Sequence, residues 1–231
     1  MELDQRIVQL NSMTKRSVET AAFCRSTFGC LYGCQKYAII RYKEKNEFGA
    51  IRLINIMENL IFLRPTAEYA GQIIQCKQEY LAAGSSMDGC GPMRRTDDPM
   101  EYIEKCALKE NPETCPADLV PATQLMLVRK EDNKVLGFLQ IRHEFNDYLS
   151  KFGGHIGYSV RPSERRKGYA KQMLKMALSF CREIGLDKVL ITCTDGNVGS
   201  EKTILANGGF YESTVHEPNS DRDLKRFWIE L

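Results

Sequence analysis

Residues 155–170 read His-Ile-Gly-Tyr-Ser-Val-Arg-Pro-Ser-Glu-Arg-Arg-Lys-Gly-Tyr-Ala. Arg165, Arg166 and Lys167 place three cations directly before Gly168, where an amphipathic run begins. A helix N-terminus presents unpaired backbone N–H groups and the positive end of the helix dipole. With cations added, and with a residue that has no Cβ to hold an anion off the backbone, that end becomes a phosphate site. Two other phosphate loops are excluded by spacing, since neither Gly-x-x-x-x-Gly-Lys-Ser/Thr nor Gly-x-Gly-x-x-Gly occurs. The competing reading is a basic, solvated helix start without a ligand. Strand, turn and helix fall in the order that a phosphate loop requires, which favours the ligand.

The surrounding elements must position these groups. Asn59 to Arg64 reads as a first strand stopped by Pro65, and 66–82 as a helix with Thr66 as its N-cap. Residues 83–99, rich in Gly, Ser, Asp, Pro and Met, read as a loop. Asp98 and Pro99 open a second helix over 99–109. Three prolines make 110–122 irregular, and Gln124–Arg129 with Val135–His143 gives a hairpin signal. A loop over 144–153 leads to a strand over 154–161. From 168 to 184, Ala170, Met173, Leu174, Ala177, Leu178 and Cys181 form one apolar stripe, Lys171, Lys175 and Arg182 lie opposite, and Gly185 is the stop. A strand over 188–193, a short helix over 197–207, and strands over 209–216 and 224–231 follow. Residues 1–56 show no convincing period. A short helix over 2–10 and a strand over 37–42 are all that can be read there.

Composition narrows the function. With 43% hydrophobic residues the chain can bury a substantial core, and its length fits one domain, or one domain with an extension. A net charge of +2 supplies no global basic field, which argues against nucleic acid as a partner. The nine cysteines are scattered, odd in number and without a Cys-x-x-Cys pair, which points to a reducing, cytoplasmic setting rather than a disulfide framework. With His143, His155 and His216 as the only histidines, no metal site is expected. No signal peptide and no membrane-spanning run is read.

The spacing Arg165-x-x-Gly168-x-Ala170 resembles the Gln/Arg-x-x-Gly-x-Gly/Ala signature of the GNAT N-acetyltransferase superfamily. The element order from 57, β-α-α-β-β-β-α-β-α-β-β, is also that of the family. Ile141-Arg-His143, the run from Gly153 to Arg165, and the closing Arg226-Phe-Trp-Ile-Glu-Leu are similar to a bacterial subgroup of predicted acetyltransferases. The resemblance implies the α/β GNAT acyl-CoA N-acyltransferase fold over 57–231, a mixed twisted sheet with helices on both faces. Residues 1–56 are then an extension of uncertain order, a stretch upstream of the true start at Met57, or a small partner-binding element.

What the resemblance implies about chemistry is specific for the cofactor. Acetyl-CoA is the expected co-substrate, with an unidentified primary amine as acceptor, direct attack in a ternary complex, and a monomer or homodimer as the assembly. Backbone N–H groups of Arg165, Arg166, Lys167, Gly168, Tyr169 and Ala170 face the pyrophosphate. Tyr158, Ser159 and Val160 offer backbone groups to the pantetheine arm, and an N–H near Val160 polarises the thioester carbonyl. Asn197 and Ser200 match family positions near the pantetheine.

Proton chemistry maps less well. The family's customary Tyr falls at Ile204, leaving Tyr211, a water, or unaided thiolate departure as the acid step. The customary Glu is absent, with Gly153 and Gly154 in that region, so His155, His143 and Glu144 are the candidate bases. For each histidine the alternative is a hydrogen-bonded structural residue. The 83–99 loop, with Asp88, Arg94 and Arg95, is expected to border the acceptor. The rival function is a catalytically degenerate GNAT fold that binds acyl-CoA as a sensor or scaffold.

Overall fold

A computed structural model describes residues 53–54 and 59–231. Five strands form one antiparallel sheet: β1 (Leu53–Ile54), β2 (Leu60–Leu63), β3 (Ala122–Arg129), β4 (Lys134–Arg142) and β5 (Ile156–Val160), in chain order. A second antiparallel sheet has the order β6 (Lys188–Thr194), β8 (Arg222–Glu230), β7 (Phe210–Glu217). The helices are α1 (Ala70–Ala82), α2 (Pro99–Glu110), α3 (Tyr169–Glu183) and α4 (Val198–Leu205). The readings at 2–10 and at 37–42 lie outside the described residues.

The helices cover opposite faces. Leu174, Ala177 and Cys181 of α3 pack with Leu125, Leu127 and Leu139 of the first sheet and with Val189, Ile191 and Phe227 of the second. One core therefore holds both sheets. On the other face, Ile73, Cys76 and Tyr80 of α1 and Tyr102 and Cys106 of α2 meet Ile61, Met126, Val128 and Phe138. Each Leu, Ile, Val, Phe or Met among them contributes about 1.5–3 kcal/mol on burial. The buried side of α3 is wider than the sequence stripe, because Met176 and Phe180 also go inward. No helix among the described residues is long and apolar enough to cross a membrane.

Asp98 caps α2 as expected, its carboxylate accepting from the Met100 N–H at 2.9 Å. Gly185 stops α3 at a φ of +86°. Thr66 makes no side-chain cap; a 3-10 turn over Ala67–Tyr69 precedes α1 instead. The 83–99 loop contains a 3-10 turn over Gly91–Arg95, and the 144–153 loop ends in a π-helical turn over Leu149–Gly153. β1 pairs with β2 through Leu53↔Phe62 and Ile54↔Ile61, so the sheet begins upstream of Met57.

Candidate active site

β5 is the last strand of its sheet, and one residue joins it to β6. The His155 N–H donates to the Leu190 carbonyl at 2.7 Å, and the Leu190 N–H donates back to His155 Nδ1 at 2.9 Å. Gly154 makes this approach possible. It sits at a φ of +63°, and a Cβ there would lie 2.5 Å from the Leu190 oxygen. Beyond the junction no ladder links β5 to β6. The Arg161 N–H bonds the Leu136 carbonyl, and the Arg142 N–H bonds the His155 carbonyl. Alternation along an antiparallel ladder then turns the backbone groups of Ser159 toward β4 and those of Tyr158 and Val160 outward. No described strand pairs with that edge of β5, although its Val160 carbonyl accepts from Arg165 Nε.

The cationic loop follows at the end of that strand. Glu79 of α1 anchors its start, taking Arg161 Nε and Ser163 Oγ, each at 2.8 Å. Arg166 and Gly168 have φ values of +66° and +83°. No described group accepts the backbone N–H of Arg166, Lys167 or Gly168, and Tyr169 and Ala170 open α3. A Cβ on Gly168 would meet nothing within 4 Å, so the protein leaves that space open and needs glycine for its φ. The side chains share other duties. Arg165 Nε donates to the Val160 carbonyl at 3.1 Å and its Nη2 to Ser85 at 3.0 Å. Lys167 donates to Glu164 at 2.9 Å, and Arg129 to the Tyr169 hydroxyl at 2.9 Å. Burial raises the Glu164 pKa, but Lys134 and Lys167 outweigh it and bring the carboxyl down to about 2. The exposed Arg166, with no described side-chain partner, is left to face an anion.

A second wall comes from the 83–95 loop. Gly89 lies so close to β5 that a Cβ on it would stand 2.0 Å from the Gly157 oxygen. Ser159 Oγ donates to the Asp88 carbonyl at 2.6 Å. The Asp88 backbone is thereby held beside β5, and its exposed carboxylate accepts from Ser86 Oγ at 2.7 Å. Across Gly157 stands Arg142, whose Nη1 donates to the Gly153 and Gly154 carbonyls at 2.8 and 3.0 Å. The Gly153–Gly154 pair therefore does not open room for an acceptor. Leu149 fills the space at Gly153, and Leu190 that at Gly154.

The remaining candidates are scattered. His155 is 6% exposed and its ring stacks on Phe145, with centroids 3.9 Å apart. Its Nδ1 lone pair is occupied by the Leu190 N–H, and burial, aided by the Arg142 charge, lowers its pKa to about 4. That geometry corrects the expectation of a base: the lone pair it needs is already used. His143 Nε2 lies 2.9 Å from Thr123 Oγ1, and that hydroxyl donates to Glu110 at 2.7 Å. The Thr123 oxygen must therefore accept from Nε2, leaving Nδ1 as the free acceptor; burial lowers the pKa of this histidine also. Tyr211 is corrected as well. It stands on β7, the outer strand of the second sheet, separated from β6 by β8, and its hydroxyl pairs with Thr214 at 2.9 Å. Asn197 caps α4, accepting the Ser200 N–H at 3.1 Å, and Ser200 Oγ meets the Tyr158 hydroxyl at 2.9 Å. Burial raises the Tyr158 pKa to about 12, so this hydroxyl keeps its proton. Ile204 is fully buried in the core. Sequence reasoning missed Arg142 and the Tyr158 hydroxyl, since neither carries a local signal.

Residues 90–208 match the sequence profile of the acetyltransferase (GNAT) family. No curated protein matches the chain. Among solved structures, the microcin C7 self-immunity acetyltransferase MccE, in complex with acetyl-CoA and AMP, is similar at 17% identity and a TM-score of 0.59, over 77% of this chain and 96% of that one. The ribosomal-protein-S5-alanine acetyltransferase from Vibrio fischeri is similar at 14% identity and a TM-score of 0.58, over 75% and 94%. RimJ from Mycobacterium smegmatis, in complex with CoA-disulfide, gives 15% identity and a TM-score of 0.57, over 74% and 81%. At these identities the likeness is one of fold.

Proposed function

This chain belongs to the GNAT acetyltransferase family, and from that premise we propose that it moves the acetyl group of acetyl-CoA to a primary amine by direct attack. The observation that carries the reading is the run of unpaired N–H groups over Arg166–Gly168 at the end of a strand whose outer edge no described strand pairs. Those N–H groups and the start of α3 hold the pyrophosphate, with Arg166 beside them. The outward groups of Tyr158 bond the pantetheine arm as a neighbouring strand would, while the Val160 carbonyl stays with Arg165 Nε. A backbone N–H at Val160 supports the oxyanion that forms at the thioester carbonyl. We assign 57–231, with the short strand β1 that pairs onto β2, to the acetyltransferase domain and the residues before β1 to an extension.

As the C–N bond forms and the C–S bond breaks, one proton must leave the amine and one must reach the sulfur. Asp88 is positioned beside β5 to hold the amine and take its proton, directly or through water. The Tyr158 hydroxyl, kept protonated by burial and paired with Ser200, is the donor we assign to the thiolate. Positioning supplies much of the acceleration in a reaction of this type.

The test is acetyl-CoA consumption against a panel of primary amines, read as thiol release. Turnover on at least one amine supports the proposal. Tight CoA binding without thiol release from any amine would instead leave the sensor or scaffold reading.

A further inference from the structure

The arginines in and beside the strands are paired with carboxylates: Arg64 with Glu110, Arg129 with Asp132, Arg161 with Glu79, Arg222 with Glu217. Arg142 is different. It is only partly exposed, and no described carboxylate is in ion-pair contact with it. Its Nη1 is satisfied by two carbonyls, and its Nη2 lies 3.5 Å from where a Cβ on Gly157 would stand. That nitrogen therefore sits over β5, on the face where the 83–95 loop delivers Asp88. A second cation, Lys109, is brought to the same end of the sheet. Its neighbour Glu110 bonds Thr123, and Ala122 pairs with Arg142 in the β3–β4 register. Burial and the Arg142 charge both lower the Lys109 pKa. The Asp88 charge acts on Arg142 from beyond ion-pair contact, so the guanidinium has no carboxylate seated on it, and its planar fork fits one.

Resting on the acetyl-transfer reading, we propose that the acceptor is a small amino carboxylate, such as a free amino acid, whose carboxylate binds Arg142 and whose amine is held by Asp88. Gly157 to Val160 spans about 10 Å of strand, and an α-amino acid, about 3 Å from amine to carboxylate, covers most of it with a contact of about 3 Å at each end.

The probes are two matched mixtures, N-acetyl amino acids and the corresponding N-acetyl amino acid carboxamides. Each is offered to the CoA-loaded full chain and read by ligand-observed NMR, with calorimetry on any hit. At least one acid should bind about 10- to 100-fold more tightly than its carboxamide. Arg142→Gln should erase that preference while CoA affinity stays near wild type. Should the variant fail to fold, the wild-type comparison decides alone. Equal binding of acids and carboxamides, or binding of neither, overturns the proposal, as does a folded Arg142→Gln protein that keeps the preference. Thiol release with neutral amines at the same rate as with amino acids would also overturn it while leaving acetyl transfer intact. Absence of thiol release from any amine would remove acetyl transfer, and the product-binding comparison would still judge Arg142.

Discussion

His155 carries its proton on Nε2, because Nδ1 receives the Leu190 N–H. Its ordinary pKa of 6.5 falls to about 4 in the folded chain. Between those values the unfolded chain binds more protons, so stability rises with pH across that window and is lost on acidification through it. From pH 7 to pH 5 the loss from this residue is about 2 kcal/mol. His155→Asn keeps an acceptor at that place but cannot titrate. Urea midpoints at both pH values should show the wild type losing about 2 kcal/mol more than the variant. Equal losses would mean that the imidazole is not held neutral. The sequence placed His155 on a strand beside a Gly-Gly pair but could not show which group would meet its lone pair. Asp88 was legible only as part of a loop expected to border the acceptor, and its place beside Arg142 was not, because that juxtaposition depends on Gly89 lying against Gly157 across distant segments of chain.

The loop from Arg165 to Gly168 was legible because everything it needs is local: cations, a residue at positive φ, and an apolar period that starts at once. Gly168→Asp should weaken CoA binding at least about tenfold by adding a negative charge at the dipole's positive end. Calorimetry at two salt concentrations checks this, and wild-type affinity would remove the loop from the site. The fold itself should survive, since a Cβ at this position meets no atom and a single left-handed residue costs about 1–2 kcal/mol. Thr66 misled because capping requires the side chain to reach a helical N–H, and the 3-10 turn after it intervenes. The turns over Gly91–Arg95 and Leu149–Gly153 follow contacts with β-strands that no short window of sequence contains.

At the scale of the molecule, the element order was readable from periodicity. The division of the strands into two sheets was not, because strand partners are set by non-local pairing. Residues 57–231 contain both core clusters and should fold alone, melting cooperatively. Removing β1 uncovers the outer edge of β2, so the midpoint should lie below that of the full chain. Scanning calorimetry of the two proteins checks this. A broad, non-cooperative transition for 57–231 would make the preceding residues integral to the fold.

The unpaired edge of β5 has a further consequence, for how the protein behaves in storage. An unpaired strand edge is a template on which another chain can add a strand, and that is the usual first step of aggregation. A pantetheine arm lying along Tyr158 would occupy backbone groups of that same edge. Coenzyme A would then act as a guard as well as a reactant, shielding the edge between turnovers. Light scattering under mild heating should show aggregation delayed by CoA, and the delay should vanish in Gly168→Asp. Equal aggregation with and without CoA would mean that the edge is not what makes the chains stick.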